Sequence, residues 1–287
     1  MGGGGYLVLL VALAGCQQEP QQQRGPSQQP EPVGWSVGRL SGEVLQDLRE
    51  DGSRMFATVQ AVPPNSDAPR SLIVRWLEAA GGPAKWSFSD QPVLDARLVP
   101  RAGGALVITQ ARTLTWLSSQ ESKPRELDSQ VVAPLSLSAD GRFVAYARGE
   151  IPDLEIVRFD LEHQAVDSVT QGMAPAWSPA LSEDGSRLIF VSGVRGYPDF
   201  WEMRQDQVVR LSDRQVNPVP FPSGPSAPIL TESTLTFEDA ERIHVVALKP
   251  LRLLRSVRGT LPVAAPRRDA LLLQDPAGAD ARWEPVQ

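Results

Sequence analysis

Few residues in this 287-residue chain have the type and spacing to do chemistry. Gly34-Trp35-Ser36-Val37-Gly38 fits the pattern G-x-S-x-G, in which a serine on a sharp strand-to-helix turn attacks a carbonyl carbon. That chemistry needs a preceding strand, a following helix and an α/β-hydrolase sheet. Here the string follows a Gln/Pro-rich stretch and precedes segments with strand-type alternation, so a turn or strand role for Ser36 is the stronger reading. Only two histidines are present. His163 lies in Leu161-Glu-His-Gln-Ala165, a hairpin-turn sequence, and His244 lies in an alternating strand. Zinc sites need several such ligands, and no His-x-x-x-His or His/Cys cluster occurs. Asp51, Asp140 and Asp184 each precede a glycine (Gly52, Gly141, Gly185). Calcium needs a dense array of oxygens, and isolated carboxylates do not supply one. These Asp-Gly pairs are read as structural turns. No Gly-rich phosphate loop, catalytic acid pair or nucleic-acid motif is found, so no catalytic residue, metal or cofactor is assigned and an enzymatic role is disfavoured.

The elements around those turns are more informative. Leu135-Ser-Leu-Ser-Ala-Asp-Gly-Arg-Phe-Val-Ala-Tyr-Ala147 is followed by Leu154-Glu-Ile-Val-Arg-Phe-Asp160 and Val166-Asp-Ser-Val-Thr170. A second copy runs Ala180-Leu-Ser-Glu-Asp-Gly-Ser-Arg-Leu-Ile-Phe-Val191, Asp199-Phe-Trp-Glu-Met203 and Val208-Val-Arg-Leu-Ser212. Each copy predicts a strand, a tight Asp-Gly turn with the positive φ of a primed hairpin, an alternating strand, an aromatic-rich strand and a short Val-rich strand.

Asp140 and Asp184 are 44 residues apart, and Asp51 lies 89 residues before Asp140, close to two such steps. Arg101–Thr109 with Thr113–Leu117 falls where the intervening unit is needed. Ser223–Leu230 with Arg242–Leu248 predicts a fifth unit, and Pro266–Leu273 with Ala281–Pro285 a truncated sixth. Repeats of this length with about four short strands each predict an all-β fold, a β-propeller of about six four-stranded blades over residues 33–287. A lone blade exposes both sheet faces, so it is stable only when packed on its neighbours. The segment Val33–Leu40 is expected to complete the last blade. Trp76, Trp86, Trp116, Trp177, Trp201 and Phe200 are spread about one or two per unit and are assigned to inter-blade packing, with a ligand platform as the alternative. Arg142, Arg187, Arg195, Arg204 and Arg210 are read mostly as solvated strand ends, some of which could face an acidic partner.

The elements Leu-Ser-x-Asp-Gly-x-x-Leu/Val-x-Phe/Tyr, Ile-x-x-x-Asp and Val-x-x-Leu-Ser/Thr resemble the repeat of TolB-type propellers. Residues 136–170 and 180–213 match well and 47–89 in part, while the other units match by spacing alone. The resemblance implies a cell-envelope propeller that docks proteins. The chain departs from TolB in having no room for an N-terminal α/β domain.

Residues 1–15 have the form of a signal peptide, with the apolar run Tyr6–Ala14 too short to span a bilayer as an ordinary helix. The run ends in Leu13-Ala14-Gly15-Cys16, which resembles the lipobox of bacterial lipoproteins, although Met1-Gly2-Gly3-Gly4-Gly5 lacks the usual Lys or Arg. That resemblance implies cleavage before Cys16 and acylation of the cysteine, by palmitate or a similar chain. Each buried methylene contributes about 0.8 kcal/mol, so two or more chains anchor stably. Cys16 is the sole cysteine, which excludes an intramolecular disulfide. Gln17, rather than Asp, follows it, as in the outer-membrane-sorted class. Gln17–Pro32 is nearly all Gln, Pro, Glu and Gly, so residues 16–32 form a lipidated, disordered tether reaching roughly 20–25 Å.

Net charge −6 with 22% charged residues gives no nucleic-acid footprint, and 41% hydrophobic content is enough for one sizeable core or two small ones. The 26 prolines and 23 glycines suit a chain that turns often. The expectation is a monomeric, membrane-anchored envelope propeller acting as a protein-interaction scaffold, on the outer membrane and facing the periplasm or cell surface. The alternative is a propeller that binds a small ligand or glycan, with possible lyase or hydrolase activity.

Overall fold

A computed structural model describes residues 44–48, 54–59, 72–77, 84–99, 103–118, 123–205, 207–212, 219–223, 227–239, 242–258, 260–264, 270–274 and 281–285. The described residues form β-strands joined by turns and loops, and none of their helices is long and apolar enough to cross a membrane. Cys16, Ser36, Asp51, Gly52, the leader, the tether and the proposed closing segment Val33–Leu40 lie outside them.

Alternation with two apolar faces explains the architecture. In β9 (Phe143–Arg148), Val144 and Tyr146 pack into one apolar cluster while Ala145 and Ala147 pack into another. In β13 (Arg187–Ser192), Leu188 and Phe190 join the cluster of Ala145, whereas Ile189 and Val191 enter a third with Phe237 and Val246. A strand buried on both sides gains by being sandwiched between neighbouring sheets, and it reads in sequence as a continuous apolar run.

Strands β1 (Val44–Leu48), β2 (Arg54–Val59), β3 (Leu72–Leu77), β4 (Ala84–Val99), β5 (Gly104–Thr109), β6 (Leu114–Ser118) and β7 (Arg125–Asp128) form one antiparallel sheet in chain order. It is two blades sharing a strand. The first part of the 16-residue β4 pairs with β3, and its last part, from Val93, pairs with β5. The third blade is β8 (Val131–Leu137), β9, β10 (Glu155–Asp160) and β11 (Ala165–Ser168), and the fourth is β12 (Ala176–Leu181), β13, β14 (Asp199–Arg204) and β15 (Gln207–Arg210). The fifth is β16 (Ile229–Leu230), β17 (Thr234–Asp239), β18 (Arg242–Leu248) and β19 (Leu251–Arg258). The sixth has three described strands, β20 (Thr260–Ala264), β21 (Ala270–Gln274) and β22 (Ala281–Pro285).

The first strands of successive blades lie side by side: β1 against β4, then β8, β12 and β16. β20 packs on β17 and returns to β1, which closes a ring of six blades. The fold is the β-propeller expected from the repeats.

The Asp-Gly turns differ from the expected primed form. Gly141 donates to Ser138 O at 3.0 Å and Gly185 to Ser182 O at 3.1 Å, and only the glycines take positive φ, +73° and +70°. This is a turn followed by a left-handed glycine. The aspartate keeps ordinary φ because its carboxylate caps the loop. Asp140 Oδ1 accepts from Ser138 Oγ at 2.5 Å and Arg142 N at 3.0 Å, and Asp184 Oδ1 accepts from Ser182 Oγ at 2.6 Å and Ser186 N at 3.0 Å. Those bonds, that of Ser182 foremost, hold the Asp184 carboxyl down at about 2.

Gly185 also lies close against Phe143 of the third blade. A Cβ there would stand 2.5 Å from Cδ2 of Phe143, whereas one on Gly172, at similar φ, would meet nothing within 4 Å. Gly185→Ala is expected to lower stability by about 2–3 kcal/mol and Gly172→Ala by about 1 kcal/mol. Thermal melts of the two variants check this, and equal losses would show that Phe143 yields without cost.

Candidate functional site

Three groups of polar side chains stand out, and each can be built from the strands that hold it.

The first is a belt on the innermost strands. Asp47 of β1 accepts from Leu98 N of the second blade at 2.8 Å. Asp95 of β4 accepts from Leu135 N of the third blade at 2.6 Å, and Ser136 of β8 accepts from Leu181 N of the fourth at 2.8 Å. A polar residue in an otherwise apolar inner strand thus satisfies a backbone donor of the next blade, where an unpaired donor would be costly. Asp95 is 1% exposed and also accepts from Ala96 N (2.8 Å) and Arg97 Nη1 (2.9 Å). Burial pushes its carboxyl above the usual range, against the pull of Arg97 and the two amides.

The second group ties strands and blades by charge. Arg187 Nε donates to Glu202 Oε1 at 2.7 Å, with both side chains almost wholly buried, and Arg187 Nη1 donates to Glu232 O of the fifth blade at 2.9 Å. The reading of Arg187 as a solvated strand end is corrected here: the β16–β17 loop takes up its Nη1. Arg210 is also mostly buried, 3.7 Å from Asp199. Tyr146 donates to Asp128 Oδ2 at 2.6 Å, and Arg148 spans Asp128 and Glu155. Burial first, then the bond to Asp128, raises the Tyr146 hydroxyl far above its ordinary value, so it serves as a fixed donor. Arg112, with φ +62°, donates to carbonyls of Gln130 and Gly149 across the next blade.

The third group is the one cluster of metal-type donors among the described residues, Asp160, Glu162 and His163 at the β10–β11 turn. Asp160 Oδ2 accepts from Arg142 Nη2 at 2.9 Å and meets His163 Nδ1 at 3.0 Å, while its Oδ1 accepts from the Glu162 and His163 amides. Burial alone would raise this carboxyl, but the bonds from Arg142, His163 and the turn amides hold it well below the usual carboxylate range. The Arg142 guanidinium already engages the Asp160 carboxylate that a cation would use. The cluster is a clamp that fixes the turn through Arg142 and Asp160, and Arg142 also lies 4.7 Å over the Phe143 ring.

The remaining sequence candidates are spread through the ring. His244 is buried in β18, with its ring 5.6 Å from that of Phe237. Trp116 packs between blades two and three, Trp177 borders two clusters, and Trp201 packs beside Met203. Phe200 stacks on Phe221 with centroids 4.9 Å apart. The side chains of Trp76 and Trp86 lie outside the description. The belt residues Asp47, Asp95 and Ser136 were missed by sequence reasoning. The available signal was a carboxylate inside an apolar strand, Val93-Leu94-Asp95-Ala96.

No family profile and no curated protein matches the chain. Solved structures share its fold. It is similar to TolB from Acinetobacter baumannii at 15% identity and TM-score 0.50, over 87% of this chain and 65% of that one. A TolB candidate from Agrobacterium tumefaciens matches at 18% and 0.50, over 85% and 91%. The Cps50 (Swd1) β-propeller domain of Myceliophteria thermophila matches at 12% and 0.53, over 86% and 97%. The chain thus spans about two thirds of the length of the first of these. The likeness shows a β-propeller fold.

Proposed function

We propose that this chain is a lipid-anchored propeller of the bacterial cell envelope that serves as a protein-interaction scaffold. The observation that carries the proposal is the run Leu13-Ala14-Gly15-Cys16 followed by the polar stretch Gln17–Pro32, placed ahead of a closed ring of blades. Acyl chains on Cys16 would hold the protein at a membrane, and the polar stretch would let the ring stand clear of it. A propeller suits docking because loops from every blade converge on its two faces. Its described charged clusters support this role, since Asp95, Arg187, Glu202 and Asp160 are committed to holding strands and blades in place.

The test is metabolic labelling with an alkyne palmitate, together with in-cell crosslinking of wild type and Cys16→Ser. Wild type is expected to take up label, sediment with membranes and crosslink to a short set of envelope proteins. The Cys16→Ser variant is expected to lose label and membrane association and most of those partners. A correctly folded wild type that takes no label would remove the anchor, and one with no crosslinked partner would remove the scaffold.

A further inference from the structure

The two faces of the ring carry turns of opposite character. On one face the first hairpins of the third and fourth blades end in Ala139-Asp140 and Glu183-Asp184, and the β10–β11 and β14–β15 turns hold Glu162, His163 and Gln205. Ala139 N donates to Glu183 O at 2.8 Å, which ties two of these turns together. On the opposite face lie the turns between the second and third strands of each blade. Their tips are Gln110-Ala111, Ile151-Pro152 and Val194-Arg195 in the second, third and fourth blades. One bond closes each turn: Arg112 N to Thr109 O (2.9 Å), Asp153 N to Glu150 O (2.6 Å) and Gly196 N to Gly193 O (2.8 Å).

Ile151 is 81% exposed, the most exposed large apolar side chain among the described residues, and Val194 is 40% exposed. Folding gains nothing from holding either in water. The three turns form one continuous rim. Arg112 of the first donates to Gly149 O, next to the second, and stands 3.5 Å from Glu150. Leu154 O, just past the second, accepts from Ala176 N at 2.7 Å, and Pro175 O accepts from Gly193 N of the third at 2.9 Å. Two partly exposed aromatics border the third turn: Tyr197 follows it in sequence, and a Cβ on Gly193 would stand 3.7 Å from the Trp177 ring. Arg195 is exposed, and among the described residues it has no ion-pair or hydrogen-bond partner.

We propose that this rim is a membrane-docking face, on which the Ile151-Pro152 and Val194-Arg195 turns dip into the surface of the bilayer that holds the anchor. Ile151 and Val194 would enter the headgroup–acyl boundary, Arg195 would meet lipid phosphate, and Tyr197 would lie at the interface. The chain ahead of the strands selects lipid as the occupant. Val44 stands 28 residues after Cys16, so even fully extended chain keeps the ring within about 100 Å of an anchored cysteine. At that range a weakly binding face meets the bilayer at high effective concentration. The slack that lets the ring stand clear of the membrane also lets it turn this rim down. Charge selects the face. The opposite turns present Asp140, Glu162, Glu183 and Asp184 to anionic headgroups, and their neighbours Arg142 and Arg204 already serve Asp160 and Glu202. The inference rests on the lipid-anchor reading and gives the anchored ring an orientation.

The experiment places the full chain, purified from membranes, in vesicles of phosphatidylethanolamine and phosphatidylglycerol. Acylation blocks Cys16, the sole cysteine, so a cysteine introduced elsewhere is the one free thiol for a fluorescent label. Ile151→Cys, Val194→Cys and, on the opposite face, Glu183→Cys are labelled and exposed to nitroxide lipids. Quenching at 151 and 194 is expected to exceed that at 183 by at least about fivefold. Adding Ile151→Glu to Val194→Cys is expected to bring its quenching down to the level at 183. The melting temperature should not change, because so exposed a side chain supports no packing. A free thiol in the wild-type protein would overturn the anchor reading and this proposal with it. A blocked Cys16 with equal quenching at the three sites would overturn this proposal alone. So would shielding of the 151 label that needs an added envelope extract and is absent with vesicles, which would assign the rim to a protein.

Discussion

Replacement of Glu202 by alanine is expected to be among the most damaging single changes in the described part of the ring, at about 3–5 kcal/mol. The Arg187 and Glu202 side chains retain only 10% and 7% of their exposure, and Nε donates to Oε1 at 2.7 Å. Alanine would leave a guanidinium beneath the surface with only the Glu232 carbonyl at 2.9 Å and the longer contact to Thr231 O as acceptors. The cost of an unpaired buried charge exceeds the net worth of the pair, so the effect comes from what is stranded. Arg204, 3.3 Å from Glu202 and about half-exposed, cannot substitute for the lost acid, because it too is a cation. The expected drop in Tm is on the order of 10 °C. The double variant Arg187→Met/Glu202→Leu removes both charges and is expected to recover most of the loss. Chemical denaturation of the two singles and the double gives the coupling. Singles that each cost less than about 1 kcal/mol would show that the pair is solvated and that the fifth blade is not held through Arg187.

How much of this was legible follows from what each feature depends on. The ring could be read because its determinants are local. Asp-Gly punctuates the first hairpin of the third and fourth blades, and runs such as Leu188-Ile-Phe-Val191 are apolar on both faces of a strand. Blade count was legible from the 44-residue step. The sharing of β4 by two blades was not, because nothing between Trp86 and Leu98 marks where one sheet stops. Turn geometry was half legible: glycine supplied the positive φ, but the carboxylate cap that lets aspartate stay in ordinary φ depends on Ser138 and Ser182 two residues upstream. Arg187 resembled a solvated strand end because its chain neighbours are turn residues, and its burial comes from Thr231 and Glu232, 44 and 45 residues away. The inter-blade belt was hidden for the same reason. Asp95 finds its amide at Leu135, 40 residues on. A single-sequence reading sees the unusual carboxylate and not its partner.

Asp95 supports the second large prediction, and it carries a pH signature that Glu202 lacks. Its carboxylate serves Leu135 N, Ala96 N and Arg97, and it bridges the second and third blades at their inner strands. Asp95→Ala strands two buried amides and one guanidinium and is expected to cost about 2–4 kcal/mol, with the inter-blade amide contributing most. Asp95→Asn keeps one acceptor oxygen and is expected to lose less. The sign of the pH effect follows from the direction of the shift. Burial raises the folded-state pKa above its unfolded value near 3.8, so between the two values the folded protein holds a proton that the unfolded chain releases. The stabilisation from that proton is fully present below the unfolded pKa and is lost as pH rises through the folded one. The advantage of wild type over Asp95→Asn should therefore shrink as pH rises from about 4 toward neutrality, and level off above the folded pKa. Parallel melts of the two proteins across that interval measure it. A difference that grows with pH would mean that Arg97 and the amides outweigh burial and hold the Asp95 carboxyl below its unfolded value.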